Sequence, residues 1–229
     1  MDDILQLLAQ FESESEKKQL QLIPTLVSSG EPGLAALREF LRKRESSSIN
    51  LVVGKAYSTL YQTPENQEFL KTHFPNGLVP LKSEQNIDYQ QLEHLLLQQD
   101  YQAADTLTRE KLWELAGEGA MKRKWVYFTE VEQFPITDLY TIDLLWWIYS
   151  EGKFGYRVQR EIWQTLGKDF VKLWPKINWK NGNKWTKYPN EFTWDLSAPV
   201  GHLPLTNQLR GVRVIEAIFR HPVWSETSR

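Results

Sequence analysis

Lys124-Trp125-Val126-Tyr127-Phe128-Thr129-Glu130-Val131 is the stretch on which the fold class turns. Aromatic and β-branched residues crowd it, and propensity alone makes it a strand. A strand needs a neighbour for its N–H and C=O groups, and no other part of the chain supplies a good partner. The stretch is therefore read as a loop or short turn between helices, and the fold as all-α. The segments on either side agree. Upstream, Tyr89, Leu92, Leu95 and Leu96 recur at helical spacing up to Asp100. Tyr101, Ala104, Thr108, Leu112 and Leu115 then line one face of a second helix, which Gly117 and Gly119 end. Downstream, helices are predicted over 137–150 and 156–166, with Trp146, Trp147, Ile162 and Trp163 as their large apolar contacts.

Tryptophan divides the chain. All ten tryptophans lie at or beyond Trp113, which implies two regions with different tasks. Residues 1–80 read as a small helical bundle. Ile4, Leu7, Leu8 and Phe11 mark a first helix, and Ser13-Glu14-Ser15-Glu16 offers a capping box for a second. Pro24 is expected to kink or stop that second helix. Gly30-Glu31-Pro32-Gly33 reads as a turn, followed by the stripe Leu34, Leu37, Phe40 and Leu41 and a solvated end, Arg42-Lys43-Arg44. Helices near 49–62 and 65–73 complete the bundle, and the two helix pairs hint at a solenoid-like repeat. Two prolines and a glycine make 75–87 a linker. A second domain is expected over 85–229. Within it, 175–204 is a long loop with weak periodicity, and the length of such a loop points to function.

Composition narrows the function. The 229 residues are 41% hydrophobic and 24% charged, with a net charge of −2. That is a globular composition without the basic excess of a general nucleic-acid binder. No cysteine is present, which excludes disulfides, thiolate metal sites and cysteine nucleophiles. The four histidines stand far apart, without metal-ligand spacing. The N-terminus has neither signal-peptide nor transit-peptide character, and the apolar run 142–149 contains Asp143 and is too short to span a bilayer. A cytoplasmic protein, or a mature one, is expected. There is no phosphate-binding glycine loop, no nucleophile elbow and no acid/base pair. Asp138 and Asp143 read more simply as an N-cap and as a partner of nearby polar groups. A non-enzyme without an intrinsic cofactor is expected.

Five motifs then occur in order: Phe128-Thr129-Glu130-Val131-Glu132-Gln133-Phe134-Pro135, Asp138-Leu139-Tyr140-Thr141-Ile142-Asp143, Phe154-Gly155-Tyr156, Gly201-His202-Leu203-Pro204 and Asn207-Gln208-Leu209-Arg210-Gly211-Val212-Arg213. Together they closely resemble the genomes-uncoupled family of tetrapyrrole-binding proteins, over roughly residues 85–229. The resemblance implies a helical porphyrin-binding domain in which two long loops close over a shallow apolar palm. It implies protoporphyrin IX and Mg-protoporphyrin IX as ligands and stimulation of magnesium chelatase in chlorophyll biosynthesis. The implied partner is the large porphyrin-binding subunit of that enzyme, with peripheral membrane association. A monomer is expected, with no nucleic-acid partner. The alternative is a helical protein-interaction scaffold whose aromatic residues serve only packing.

Porphyrin chemistry can be set against these residues. A porphyrin offers a broad apolar disc, two carboxylate tails and, when metallated, an axial position. Its binder needs an apolar hollow, cations at the rim and at most one axial donor, and arginine's planar fork suits carboxylates. On one continuous last helix, Leu205, Leu209, Val212, Ile215 and Phe219 share a core face, while Asn207, Arg210, Arg213, Val214 and Ala217 share the other. Arg210 and Arg213 are candidate rim cations, and Asn207 a candidate axial contact to the ligand's magnesium. The plainer reading makes the two arginines a solvated helix face. Arg109 flanks the core stripe of its helix and reads equally as a rim cation or a surface salt-bridge partner. The resemblance adds Phe128 and Val131 as lining residues, against ordinary core packing, and Tyr188 as the aromatic residue laid over the ring. Lys176, Lys180, Lys184 and Lys187 alternate with aromatic residues, a pattern that also suits single-stranded nucleic acid. Trp179, Trp185 and Trp194 are expected mostly to pack the loop down. His202 is expected to have a structural hydrogen-bonding role rather than to ligate.

Overall fold

The computed structural model describes residues 2–44, 49–206 and 211–226. The chain divides into two compact units, Met1–Pro80 and Leu81–Arg229.

The elements of the first unit, among its described residues, are all helical: α1 (Asp2–Glu12), α2 (Glu16–Ser28), α3 (Glu31–Arg42), α4 (Leu51–Tyr61), a 3₁₀ turn (Pro64–Asn66) and α5 (Gln67–His73). Helix α3 packs on α1, α2 and α4. The predicted stripe supplies its core, with Leu37, Phe40 and Leu41 buried beside Phe11, Ile23 and Leu60. Three local expectations need correction. Pro24 lies inside α2 without ending it, because buried Ile23 and Leu26 hold the helix on its neighbours. The predicted turn at 30–33 is shorter than expected: α3 begins at Glu31, with Pro32 in its first turn, where the missing N–H costs nothing. Gly33 is demanded by packing, since a Cβ there would stand 1.7 Å from the carbonyl oxygen of Leu26. Lys43 and Arg44 are not merely solvated, for both reach the Glu12 carboxylate, at 3.2 and 2.8 Å.

The second unit runs α6 (Gln90–Leu97), α7 (Tyr101–Ala116), α8 (Glu118–Arg123), α9 (Phe128–Val131), α10 (Ile136–Tyr149), α11 (Tyr156–Thr165), α12 (Phe170–Lys176), β1 (Lys180–Asn181), β2 (Lys184–Trp185), α13 (Arg213–Arg220) and α14 (Val223–Glu226). Helix α10 is its centre. Leu139, Ile142, Leu145 and Trp146 are fully buried, and the helix packs against α6, α11 and α14. The indole N–H of Trp146 finds its acceptor in Thr108 Oγ1, 2.9 Å away on α7, so the largest core side chain leaves no polar atom unpaired. The only strands among the described residues are the two-residue pair β1–β2, with Lys180 opposite Trp185.

Lys124–Val131 makes no strand. Lys124 turns the chain in the left-handed region, at φ 59°, and α9 follows. Glu130 explains the departure from propensity. Its carboxylate accepts the Tyr127 N–H at 2.8 Å and the Arg123 guanidinium at 2.7 and 2.8 Å. One side chain thus satisfies a donor at the start of α9 and ties α9 to the end of α8, as a helix-start carboxylate should.

Other expectations shift. Gly117, at φ 88°, does end α7, but Gly119 lies inside α8. Asp138 is not an N-cap; Pro135 holds that position. Its buried carboxylate instead accepts from Ser83 Oγ, from the Glu84 N–H at 2.8 Å and from Tyr89 Oη at 2.8 Å, fastening the segment before α6 to α10. Residues 170–176 are helical, a helix not anticipated, capped by Asp169 through the Val171 N–H at 2.8 Å. The predicted last helix does not run from Leu205. Leu205 and Thr206 are extended or irregular, Gly211 takes φ 86°, and the helix begins at Arg213. A left-handed glycine interrupts any α-helix that approaches it.

Candidate functional site

Helices α9 and α13 pack together and, with the corner after α13, form an open cleft of about 690 Å³. Phe128, Ala217 and Pro222 give it apolar surface, Arg213 and Arg220 give it donors, and His221, Glu132 and Glu216 stand beside them. That volume lies within the range of small-molecule sites. Arg213 is exposed, with its guanidinium carbon 5.4 Å from the Phe128 ring centroid. Arg220 is held by Glu216 at 2.9 Å and lies 5.8 Å from the Trp163 ring centroid. Arg220 is thus already paired on its own helix, while Arg213 has an aromatic face beside it, an arrangement worth about 0.5–1 kcal/mol at an exposed site.

Below this surface the packing is firm. Ile215, Ile218 and Phe219 bury the opposite face of α13, and Phe219 contacts Trp163 at 5.4 Å between ring centroids. Val131 is fully buried; it supports the helix that carries Phe128 and has no exposed surface for a ligand. His221 fixes the corner: its Nε2–H donates to the Phe134 carbonyl at 2.9 Å, and its Nδ1 accepts the Val223 N–H at 3.2 Å.

Arg109 and Tyr188 meet elsewhere in the same unit. Arg109 Nη2 donates to Tyr188 Oη at 2.7 Å, and the guanidinium carbon lies 4.6 Å from that ring's centroid. Thr106 Oγ1 stands 3.1 Å from the same hydroxyl. The Nε of Arg109 is 3.4 Å from Asp105 Oδ2. Asp105 is fully buried, and its other oxygen accepts the Leu205 N–H at 2.7 Å. Burial pushes its carboxyl up to about 7, against the opposing pull of Arg109 and the Leu205 amide. The candidates thus fall into two groups, Phe128 with Arg213 and Arg109 with Tyr188. Asn207 and Arg210 lie outside the described residues.

The long segment 175–204 is anchored by its aromatic residues. Trp179 is fully buried, stacks on Trp174 at 5.5 Å and donates its indole N–H to the His202 carbonyl at 2.7 Å. His202 is itself buried. Its Nδ1–H donates to the Ile177 carbonyl at 2.7 Å, and its Nε2 accepts the Thr193 N–H at 3.2 Å. Both ring nitrogens are engaged, which leaves none for a metal. Tyr188, by contrast, is 42% exposed, enough for its ring to meet a ligand. The reading of the sequence missed Arg220 and His221 as parts of the cleft. The signal for Arg220 was its spacing: seven residues after Arg213, two helical turns along one face.

These features define a class of protein: a unit of paired helices joined to a helical domain with an open, partly apolar and partly basic hollow on its surface. The chain belongs to the GUN4 family. A family model described as GUN4-like matches residues 82–222, and one described as an ARM-like repeat domain, GUN4-N terminal, matches residues 1–75. The chain is 52% identical to a Ycf53-like protein of Synechocystis, over 98% of each chain. It is 40% identical to the chloroplastic tetrapyrrole-binding protein of Arabidopsis thaliana, over 58% of this chain and 54% of that one. Among solved structures, GUN4 from Chlamydomonas reinhardtii aligns with a TM-score of 0.61 at 43% identity, covering 64% of this chain and 94% of its own. The ligand-free structure of Arabidopsis thaliana GUN4 aligns with a TM-score of 0.56 at 41% identity, covering 60% and 98%. No helix among the described residues is long and apolar enough to cross a membrane.

Proposed function

We propose that this chain binds a tetrapyrrole, protoporphyrin IX or Mg-protoporphyrin IX, across a surface that takes in both the cleft between α9 and α13 and the Arg109–Tyr188 pair, and that it serves magnesium chelatase as a stimulating regulator rather than as an enzyme. The observation that carries the binding reading is the pairing of Phe128 with Arg213 in one open hollow. An aromatic face suits the macrocycle, and a guanidinium suits a propionate. The 40% identity with a relative named tetrapyrrole-binding protein supports the ligand class. In this reading Arg109 and Arg210 are further rim cations, Tyr188 meets the ring, Val131 backs Phe128, and Asn207 is the axial contact to magnesium. The proposed partner is the large porphyrin-binding subunit of the chelatase. The proposed setting is the cytoplasm, with peripheral membrane association, and the proposed state is a monomer.

Titrating protoporphyrin IX while following tryptophan fluorescence tests the binding. Saturable quenching is expected, because the macrocycle would sit beside α9 and near Trp163. In Arg213→Ala the affinity should fall about 10- to 100-fold, the equivalent of one charge-assisted hydrogen bond. Unsaturable quenching, or unchanged affinity in both Arg213→Ala and Phe128→Ala, defeats the assignment. Adding the chain to reconstituted chelatase, with and without ATP, tests stimulation against intrinsic chemistry. A second reading, a protein-interaction scaffold, is favoured by the ARM-like match of residues 1–75. It predicts no saturable porphyrin binding.

A further inference from the structure

We propose that Arg109 is shared between Asp105 and a carboxylate of the bound ligand, so that binding draws one proton onto Asp105. The inference rests on the reading above that the ligand carries carboxylate tails.

The geometry makes Asp105 an unusual partner for a surface arginine. Its carboxylate is fully buried, while the Arg109 side chain keeps 29% of its exposure. Arg109 thus joins an interior charge to solvent. The arrangement is incompletely satisfied: Asp105 Oδ2 and Arg109 Nε are both buried and lack a hydrogen-bond partner of good geometry, although they stand 3.4 Å apart. The attraction is coulombic rather than a formed hydrogen bond. Meanwhile the Nη2 end of Arg109 already serves Tyr188 and Thr106, at 2.7 and 3.3 Å. A guanidinium has five donors in one plane, so it can accept a second carboxylate at its outer edge without leaving Asp105.

What changes is the charge balance. In the free protein one cation faces one buried anion. From its own helix Asp105 faces Arg109; from α11 it faces Tyr156; from the segment after Pro204 it meets the Leu205 N–H. Tyr156 supplies no charge, because burial first, and then Asp105 and Asp143, push its ionisation far upward. A ligand carboxylate on Arg109 therefore adds a second anion beside one cation, near a carboxylate that water does not reach. The less costly response is for Asp105 to take a proton from solvent and become neutral. Its carboxyl already titrates near 7 in the free protein, so the uptake falls in an accessible range. Above that pH the free protein holds Asp105 ionised, and binding must bring the proton with it. Well below it the group is protonated beforehand, and the linkage fades.

Calorimetry of the full chain with protoporphyrin IX, in buffers of differing ionisation enthalpy, reads proton uptake directly. Between about pH 7 and 8.5 the affinity should weaken as pH rises, by at most about tenfold per pH unit, the limit for one proton. Asp105→Asn retains an acceptor oxygen for the Leu205 N–H but cannot titrate; it should bind without the pH slope and without buffer-dependent heat. Wild-type protein titrated with protoporphyrin dimethyl ester, which lacks carboxylates, should show neither effect, and this arm needs no variant to fold. Binding of the diacid without proton uptake overturns the proposal, as does an undiminished slope in Asp105→Asn. Failure of every porphyrin to bind removes the tetrapyrrole reading itself and this inference with it.

Discussion

The Nε2 of His221 lies 2.9 Å from the carbonyl oxygen of Phe134, a residue 87 positions earlier in the chain. That bond joins the corner between α13 and α14 to the loop leaving α9, the two walls of the cleft. The opposite ring nitrogen accepts the Val223 N–H, so the imidazole works only as the neutral tautomer. Protonation would set a second N–H against that backbone donor. Burial accordingly lowers the His221 pKa, and burial lowers that of His202 in the same way.

Acidification should therefore withdraw what these two histidines contribute to the second unit, while Asp105, whose raised carboxyl takes up a proton earlier when folded, pulls the other way in the same range. A histidine with a lowered folded-state pKa contributes stability that is present above its unfolded value of about 6.5 and is lost as pH falls through the folded value. Urea midpoints measured down the pH scale sum the two trends, so the histidine part is read as the difference between wild type and a variant. Through that window His221→Gln, which can still donate to Phe134, should keep more of its stability than wild type does, with His202 and Asp105 acting alike in both. An identical slope in both proteins would contradict the latch.

The Thr108–Trp146 bond is buried on both sides. Thr108→Val keeps the shape and leaves the indole N–H without an acceptor, so unfolding free energy should fall by about 1–3 kcal/mol. Urea denaturation followed by tryptophan fluorescence measures it.

Glu130 is the residue that turns a strand-prone stretch into α9. Glu130→Gln weakens its hold on Arg123 and on the Tyr127 N–H. A cost of about 0.5–2 kcal/mol is expected, as for a lost helix cap, together with weaker porphyrin binding because Phe128 begins that helix. Affinity that stays unchanged while stability drops would separate α9 from the ligand site.

In the first unit, Gly33 packs where no side chain fits. Gly33→Ala forces α3 away from the Leu26 carbonyl, at a cost of roughly 1–3 kcal/mol or more. Thermal unfolding checks it, and full stability in the variant would mean that α2 and α3 are less closely packed than described.

How much of this was legible beforehand follows from the kind of signal each element carries. Helix α7 announces itself through apolar periodicity, and its core holds the predicted Tyr101, Ala104, Thr108, Leu112 and Leu115; of the large contacts predicted for α10 and α11, Trp146 and Trp163 are buried while Trp147 and Ile162 are half-buried. Helix α12 was hidden because its seven residues, with Pro175 inside, carry too little period to read. The start of α13 was misplaced because the pattern from Leu205 to Phe219 is periodic even though the backbone breaks at Gly211; a pattern records which faces are apolar, not where φ turns positive. For the site, Arg213 beside Phe128 joined two positions 85 residues apart that only the resemblance had brought together. The Asp105 network was not foreseeable at all, since Leu205 takes part through its backbone, which has no residue-type signature.

The central claim is where the macrocycle sits, and amide hydrogen exchange with and without saturating protoporphyrin IX tests it most directly. Slower exchange in Phe128–Val131 and Arg213–Arg220, extending to the turn of α7 that carries Arg109, is the expected result. Protection confined to the first unit, or to α6 and α7 with α9 and α13 unchanged, would contradict it.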